Sequence, residues 1–319
     1  MNISVIGCGR WGTYLSWYLD KIGHSVTLYG RENSAHMRSL IKTRKNDLLS
    51  LGDSITLTTN IRDIENSDVV VISVDSQGLR GLFSELRERG LTGKSFVLCM
   101  KGIEISTGKR LSEIAEEFIT ENGRVAVWLG PGHVQEFYAG IPNCMVIDSA
   151  DAGFKAMLVD EFSSNLIRLY YGDDLIGNEI GAAAKNVIGI AAGMLDGRGL
   201  SSLKGSLMAR GAREISRLIA AMGGSELSAY GLCHLGDYEA TVFSKFSHNR
   251  QFGEAFVKGE RFEALAEGYY TVSALVKLGE KYAVDLPISS AVYDILYCGK
   301  SPDDALLMLF SRSLKKEFS

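Results

Sequence analysis

The chain has 319 residues, of which 46% are hydrophobic and 23% charged, an ordinary globular balance with room for two domains. The formal net charge of −4 excludes nucleic-acid binding through overall basic charge. The most apolar late stretch, Val187–Leu195, is too short to cross a bilayer, so we expect no membrane insertion. The start of the chain lacks a signal-peptide pattern, and the five cysteines show no metal-ligand spacing. We therefore expect a cytoplasmic protein with reduced thiols and no nucleic-acid partner.

In chain order, the first half alternates short apolar runs with helical patterns. Eight runs are predicted as strands: Ile3–Ile6, Ser25–Tyr29, Ile55–Thr58, Val69–Ser73, Ser95–Cys99, Val125–Leu129, Cys144–Ile147 and Leu166–Tyr170. Strands that alternate with helices favour parallel pairing. The pattern therefore predicts an α/β fold with a doubly wound, mainly parallel sheet.

The pattern changes near residue 176, after which only helices are predicted. They are Asn178–Leu195, Lys204–Met222, Tyr238–Phe243, Gly253–Val257, Thr271–Tyr282, Ile288–Tyr297 and Pro302–Phe310. We therefore expect a sheet domain over residues 1–175 and an all-helical C-terminal domain over residues 176–319. The helical domain is expected to carry the substrate and catalytic residues.

A glycine-rich turn follows the first predicted strand. Gly7, Gly9 and Gly12 form a G-x-G-x-x-G pattern that leads into a predicted helix, Thr13–Lys21. Here Gly7 permits a tight turn, Gly9 lets the backbone approach a pyrophosphate, and Gly12 lets helix and strand pack closely. The helix N-terminus adds free N–H groups. This context predicts a Rossmann-type domain that binds NAD or NADP; the alternative is a plain strand-to-helix turn.

The end of the second predicted strand bears on the choice of cofactor. A carboxylate there binds the ribose hydroxyls of NAD, whereas a guanidinium pairs with the 2′-phosphate of NADP. Arg31 slightly favours NADP, while the adjacent Glu32 keeps NAD open. Arg31 can also be a solvated loop charge.

Two segments follow predicted strands at the end of the sheet where ligands bind. Lys101, after Ser95–Cys99, is placed to meet an anionic substrate, unless it is an ordinary surface lysine. Gly130 and Gly132 flank Pro131 in a bare, stiff loop whose backbone can approach a ligand; a simple turn is the alternative.

Lys185 stands among small apolar residues of a predicted helix, where a lysine is costly unless it is paired or reaches water. Partial desolvation would lower its pKa and suit it to acid–base work beside a carbonyl that receives hydride. Asp237 is a candidate to orient this lysine. Residues 247–250 carry several hydrogen-bond donors near a predicted helix start. This pattern indicates either a phosphate-binding site or an N-cap residue with solvated polar neighbours.

Together these segments resemble the NAD(P)-dependent sn-glycerol-3-phosphate dehydrogenase family. The matching pieces occur in the family's order over nearly the whole chain. They are Gly7-Cys8-Gly9-Arg10-Trp11-Gly12-Thr13, Lys101-Gly102-Ile103-Glu104, Gly130-Pro131, Ala184-Lys185-Asn186-Val187, Ala191-Ala192-Gly193 with Asp196-Gly197, Arg210-Gly211, Gly236-Asp237, Asn249-Arg250 and Glu267-Gly268.

The resemblance implies a homodimer that uses NAD(P)H, without a metal, to reduce dihydroxyacetone phosphate to sn-glycerol 3-phosphate. It implies that Lys185 donates the proton, that Lys101 binds and polarises the substrate, and that Asp237 positions Lys185. It also implies contacts with the substrate or the cofactor. The substrate contacts are Lys101, Gly130, Gly132, Lys185, Asp237, Ser247, His248 and Asn249. The cofactor contacts are Gly7, Gly9, Arg10, Trp11, Gly12, Lys101, Val134 and Glu267. Arg31 is added as a candidate because it follows the second predicted strand.

The chain departs from the family pattern mainly around the expected substrate pocket. His248 replaces an arginine, so a permanent charge gives way to a ring that is often neutral at pH 7. Gly132 lacks the usual Ser or Thr hydroxyl, and Val134 replaces a small alanine. Ser202 stands where an asparagine is usual, and His234 where a glycine is usual.

Three hypotheses remain at this point. The chain is a divergent glycerol-3-phosphate dehydrogenase, a related dehydrogenase of another polyol phosphate or hydroxy compound, or a non-catalytic NAD(P)-binding or regulatory protein. The retained Lys101, Lys185 and Asp237 argue against the third hypothesis, and His248 favours the second over the first.

Overall fold

The computed structural model describes residues 1–314, 316 and 317, and the chain divides into two compact units. The first unit comprises Met1–Met100 and Leu111–Asp173, and the second comprises Lys101–Arg110 and Asp174–Ser319. The two-domain division at residue 175 remains a prediction. The first compact unit ends at Asp173. The second unit also includes Lys101–Arg110, a segment that the prediction places in the sheet domain.

The first unit is built on one sheet of eight strands. Strands β1 to β8 are Asn2–Ile6, Ser25–Tyr29, Thr56–Thr58, Val69–Ile72, Ser95–Leu98, Arg124–Leu129, Asn143–Asp148 and Ile167–Tyr171. Their order is β3-β2-β1-β4-β5-β6-β7-β8, and every neighbouring pair is parallel except β6 with β7. The predicted fold class is confirmed, and each predicted strand end lies within about one residue of the observed one.

Helices cover this sheet, which explains its continuous apolar strands. Strand β4, for example, is a run of Val and Ile that is buried at every position, as expected when both faces are covered. Helices α1 to α6 of this unit are Arg10–Lys21, Ala35–Thr43, Leu79–Glu88, Leu111–Glu116, Val134–Tyr138 and Ala152–Phe162.

Strand β1 lies where the strand order reverses. The chain passes from β1 to β2 and β3 on one side and then continues from β4 on the other. In open α/β sheets, ligands bind beyond the carboxyl ends of the strands at such a point. The glycine turn that follows β1 therefore occupies the expected ligand position of the first unit.

The second unit is helical. Helices α7 to α12 are Leu175–Gly197, Lys204–Ala221, His248–Lys258, Glu267–Lys281, Pro287–Tyr297 and Pro302–Phe310. No strand follows β8 in the described part of the chain. No helix in that same part is both long and apolar enough to cross a membrane.

Two predicted helices of this unit are wrong in detail. The predicted helix Tyr238–Phe243 is a π-helical turn, Glu239–Phe243, because the Thr241 hydroxyl donates to the Asp237 carbonyl and competes with the helical backbone pattern. The predicted Gly253–Val257 is the C-terminal half of a longer helix, α9, which begins five residues earlier at His248.

Helix α7 is the buried centre of the second unit, and glycines let α9 pack closely against it. A Cβ atom on Gly193 of α7 would lie 1.9 Å from the carbonyl oxygen of Arg250. A Cβ atom on Gly253 of α9 would lie 2.1 Å from the carbonyl oxygen of Ile190. Both contacts are with backbone, which cannot move aside cheaply. This packing fixes the start of α9 relative to the helix that carries Lys185.

We predict that Gly253→Ala lowers the free energy of unfolding by about 1–3 kcal/mol, because the added methyl overpacks the α7–α9 contact. Gly205→Ala is the matched control, since a Cβ atom there meets nothing within 4 Å in an exposed part of α8. The control should leave stability unchanged or raise it by up to about 1 kcal/mol. Urea unfolding measures both values, and equal stability of the two variants would contradict the packing argument.

Candidate active site

The glycine turn after β1 has the geometry that a dinucleotide requires. Gly7 has φ +112°, and a Cβ atom there would lie 2.1 Å from the carbonyl oxygen of Ser73. A Cβ atom on Gly12 would lie 1.9 Å from the carbonyl oxygen of Gly7, whereas one on Gly9 meets nothing within 4 Å. Helix α1 starts at Arg10 without an acidic residue in its first turn, and its N-cap, Gly9, has no side chain. The helix amides therefore suit a pyrophosphate.

The other cofactor residues suggested for the first unit have different surroundings. Arg31 follows β2 and is exposed. The Trp11 ring packs against the rings of Tyr14 and Phe137, with centroids 5.3 and 6.3 Å away. Val134 is 6% exposed and belongs to the hydrophobic core. A contact between Val134 and the cofactor would therefore have to come from the backbone.

Packing explains the missing hydroxyl at Gly132. Gly130 and Gly132 have φ values of +134° and +141°, which side chains rarely adopt. A Cβ atom on Gly132 would also lie 2.1 Å from ring carbon Cε2 of Phe137. A serine or threonine does not fit here while the Phe137 ring holds this position. The loop can reach a ligand only through its backbone.

The second unit brings together the three residues predicted to perform the chemistry. One oxygen of Asp237, Oδ2, lies 2.6 Å from Lys101 Nζ and 2.8 Å from Lys185 Nζ. The side chains of Asp237, Lys185 and Lys101 are 1%, 9% and 21% exposed, respectively. The other carboxylate oxygen of Asp237, Oδ1, is buried and has no hydrogen-bond partner among the described residues. The cluster combines two ammonium groups with one carboxylate.

Burial tunes Lys185 for proton exchange near neutral pH. Desolvation is the main cause that lowers the pKa of Lys185, and the nearby Lys101 ammonium lowers it further. The Asp237 carboxylate acts in the opposite direction, and the resulting pKa is about 8. Lys185 therefore remains largely protonated at neutral pH but gives up its proton more readily than an ordinary lysine does.

Two residues that bond to this cluster, Thr241 and Asn186, are not predicted from the sequence. Lys185 Nζ donates to the Thr241 hydroxyl at 2.8 Å, and that hydroxyl donates to the Asp237 carbonyl at 2.7 Å. Asn186 Nδ2 donates to the Lys101 carbonyl at 3.1 Å. The spacing of four residues between Asp237 and Thr241 was the available signal for Thr241. Asn186 had only its position beside Lys185.

Two of the residues predicted to bind a phosphate make hydrogen bonds within the protein. The Ser247 hydroxyl caps α9 by accepting the Arg250 amide at 3.3 Å. Asn249 Nδ2 donates to Asn186 Oδ1 at 3.1 Å, and Asn249 Oδ1 accepts the Gly268 amide at 2.9 Å. Asn249 therefore links α7, α9 and α10. The N-cap interpretation holds for Ser247, and both interpretations remain open for the α9 start as a whole.

Three further predicted residues lie at element starts or in a turn of the second unit. His248 is the first residue of α9 and is half-buried, with its ring 6.2 Å from that of Phe262. Glu267 is the first residue of α10, next to Gly268. Ser202 lies exposed in a short 3-10 turn.

Arg250 does not offer a spare positive charge in place of the missing arginine. Its Nη1 pairs with the carboxylates of Asp196 and Glu254, and its Nε donates to the Ser244 carbonyl at 3.2 Å. Lys204 also donates to Asp196. Arg250 is thus part of a structural ion-pair network. Among the described residues, no group of three His, Cys, Asp or Glu side chains could hold a metal ion.

Comparison with known proteins connects both units to one family. Residues 2–155 match the family model for the N-terminus of NAD-dependent glycerol-3-phosphate dehydrogenase, and residues 174–307 match the model for its C-terminus. The chain is 34% identical to the glycerol-3-phosphate dehydrogenase [NAD(P)+] of Thermoanaerobacter sp. (strain X514), with 99% of each chain covered. It is 36% identical to the enzyme of that name from Prosthecochloris aestuarii, over 99% of this chain and 100% of that one.

A solved structure is similar over the same length. It is a crystal structure of glycerol-3-phosphate dehydrogenase from Coxiella burnetii, with a TM-score of 0.90 and 26% sequence identity. The similarity covers 98% of this chain and 99% of that chain.

We predict that Asp237→Asn lowers the pKa of Lys185 below its value of about 8, because the carboxylate that stabilises the ammonium is lost. A decrease of about 1–3 pH units is expected for the loss of an adjacent opposite charge. The 13Cε chemical shift of Lys185, assigned with Lys185→Arg, reports the titration. Asp196→Asn is the control, because that carboxylate pairs with Lys204 and Arg250 instead. A pKa of Lys185 that stays unchanged or rises in Asp237→Asn would refute the electrostatic account.

Proposed function

Because the chain belongs to the NAD-dependent glycerol-3-phosphate dehydrogenase family, we propose that it catalyses the reversible, NAD(P)H-dependent reduction of dihydroxyacetone phosphate to sn-glycerol 3-phosphate. The observation that carries this proposal is the buried carboxylate of Asp237 with Lys101 and Lys185 on one oxygen. Such a cluster supplies a proton and a positive field to a carbonyl oxygen.

Lys185 is the general acid in this proposal. The bound reduced nicotinamide supplies the hydride. The Lys185 ammonium uses two of its hydrogens on Asp237 and Thr241, which leaves the third for the substrate carbonyl oxygen. A pKa of about 8 keeps Lys185 charged at neutral pH and still a competent donor. In the reverse direction, neutral Lys185 accepts the proton of the substrate hydroxyl.

Lys101 and Asp237 support this proton transfer. The Lys101 ammonium stabilises the negative charge that develops on the substrate oxygen. Asp237 holds both lysines through Oδ2, and its unpaired Oδ1 can accept a hydrogen bond from a substrate hydroxyl. The three side chains together carry a net charge of +1 when both lysines are protonated, which favours an anionic substrate.

The start of α9 is the proposed seat of the substrate phosphate. The Ser247 hydroxyl caps the Arg250 amide at this helix start, and the N-terminus of a helix favours an anion. His248 adds a hydrogen bond and, when protonated, a charge. A second candidate function, oxidoreduction of another polyol phosphate, is favoured by His248 in place of the family's arginine.

For the cofactor, the proposal is NAD or NADP on the glycine turn, with NADP slightly favoured. Arg31 is exposed just beyond β2, where it can pair with a 2′-phosphate. Lys101 and Glu267 are also proposed to contact the cofactor.

Homodimer formation is proposed through α12 and Leu314. The side chains of Leu307, Phe310 and Leu314 are 73%, 72% and 101% exposed, and exposed apolar side chains are frequent at interaction surfaces. Sedimentation should show a dimer that Leu307→Asp dissociates. A monomeric wild-type protein would rule out the proposed dimer.

Cytoplasmic location is also proposed, since all five cysteines are free thiols.

We predict that purified protein oxidises NADPH or NADH when dihydroxyacetone phosphate is added, measured as loss of nicotinamide absorbance. Lys185→Ala should lower kcat by about 100-fold or more while cofactor binding stays nearly unchanged, because the proton donor alone is lost. Reduction should decline as pH rises through the pKa of about 8, where Lys185 loses its proton.

The controls separate the alternatives. Lys204→Ala removes another buried lysine that pairs with Asp196 and is expected to retain far more activity than Lys185→Ala. Turnover only with other carbonyl phosphates would favour the second function. Cofactor binding without oxidoreduction of any substrate in a broad panel would indicate a non-catalytic protein.

We predict that Arg31→Ala raises KM for NADPH by about tenfold and leaves KM for NADH nearly unchanged, because only NADPH carries the 2′-phosphate. Arg38→Ala, a change to an arginine on the exposed side of α2, serves as the control. Equal changes for the two cofactors in Arg31→Ala would remove the reason for favouring NADP.

A further inference from the structure

His234 is a buried histidine for which the proposed chemistry gives no role. Its side chain is fully buried, and it stands where the family pattern has a glycine. It immediately precedes the 3-10 turn Leu235–Asp237, which carries the carboxylate of the lysine cluster. A large polar side chain in such a position needs hydrogen bonds on both ring nitrogens.

Both nitrogens have partners, and these partners define the protonation of the ring. Nδ1 lies 2.8 Å from the Gly181 carbonyl, which can only accept, so Nδ1 carries the hydrogen. Nε2 then accepts from the Tyr238 hydroxyl at 2.7 Å. Burial lowers the pKa of His234 to about 4, which keeps the ring neutral beside Lys185.

These bonds connect the two elements that carry the lysine and its carboxylate. Gly181 lies on α7, four residues before Lys185. In a regular α-helix its carbonyl therefore also accepts the hydrogen bond of the Lys185 amide. The His234 carbonyl accepts the Asp237 amide at 3.0 Å. One residue thus bonds to the turn of α7 that bears Lys185 and, through its own backbone, to Asp237.

The contact between His234 and α7 is close. A Cβ atom on Gly181 would lie 3.0 Å from the Cβ of His234, so the glycine lets the imidazole approach the helix. Tyr238, which fixes the other side of the ring, is also fully buried. The arrangement leaves the His234 ring little freedom to move.

We propose that His234, held by Tyr238, is a positioning residue that sets the separation between Lys185 and Asp237 and thereby the acidity of the proton donor. This inference rests on the proposed role of Lys185 as general acid. Without the Nδ1–H bond to Gly181, the turn that carries Asp237 loses one of its hydrogen-bonded connections to α7. The carboxylate then stabilises the Lys185 ammonium less, so the proton is lost at lower pH.

The test compares His234→Phe, which removes both nitrogens, with His234→Gln, which keeps a side-chain N–H donor. In His234→Phe we expect kcat for carbonyl reduction to fall about 10- to 100-fold. The alkaline limb of the pH profile should move about 1 pH unit lower, as should the 13Cε titration of Lys185. His234→Gln should restore both values towards those of the wild type. Tyr238→Phe keeps the imidazole and should give a smaller shift in the same direction.

A purely structural role predicts a different result. His24 is the control, a buried histidine in the first unit whose Nε2 lies 3.0 Å from the Glu161 carbonyl. His24→Phe should lower the Tm without moving the Lys185 titration. If His234→Phe and Tyr238→Phe likewise lower only the Tm and leave the titration in place, the proposal is wrong.

The titration also separates this proposal from the proposed function. An active Lys185→Ala variant would refute the general-acid role, whereas the 13Cε titration of Lys185 does not depend on turnover. If His234→Phe does not fold, Tyr238→Phe and His234→Gln decide the outcome through the same titration.

Discussion

The candidate site depends on one buried carboxylate oxygen. Asp237 Oδ2 accepts hydrogen bonds from Lys101 and Lys185, and Asp237 is almost completely excluded from solvent. Two ammonium groups that share one oxygen repel each other, and burial adds a desolvation cost to each charge. The carboxylate offsets both effects only in part, so Lys185 keeps a lowered pKa. An acid tuned in this way requires that burial and the carboxylate oppose each other.

The helical unit is built to hold this balance. Helix α7 supplies Lys185 and Asn186, and its glycines let α9 approach within backbone contact. Asn186 and Asn249 then connect the Lys101 carbonyl to the start of α10 through successive amide hydrogen bonds. Small shifts of the separation between Lys185 and Asp237 would change the electrostatic attraction strongly, because the charges lie near contact distance. The packing and hydrogen bonds of the unit therefore help to set the separation between Lys185 and Asp237.

The sequence was sufficient to predict the sheet but only part of the site. Continuous apolar runs such as Val69–Ile72 have few alternatives to a covered strand, so strand positions were predictable. Lys185 was predictable as well, because a charge among small apolar residues needs an explanation. Thr241 was not, since it acts from a π-helical turn that helical periodicity does not reveal.

Ser247 and Asn249 show a second limit of predicting a site from sequence. Their donors and acceptors were predicted to serve a phosphate, yet Ser247 caps a helix and Asn249 bridges three helices. A polar side chain near a helix start can bond either to the protein or to a ligand, and the sequence does not distinguish the two. Only the positions of the neighbouring backbone amides decide which bonds form.

The departures from the family pattern have unrelated physical causes. Gly132 is required by positive φ and by the Phe137 ring, so the absent hydroxyl follows from packing within the first unit. His248 changes the charge at the start of α9, and Arg250 is committed to Asp196 and Glu254 and does not replace it. The hydrogen bonds and ion pairs of the lysine cluster join Asp237, Lys101, Lys185 and Thr241. In the proposed mechanism, the cluster donates the proton to the carbonyl oxygen, whereas donors at the start of α9 bind the phosphate. The proposal therefore assigns the chemistry and the recognition of the phosphate to different groups, so that the second can diverge while the first is retained.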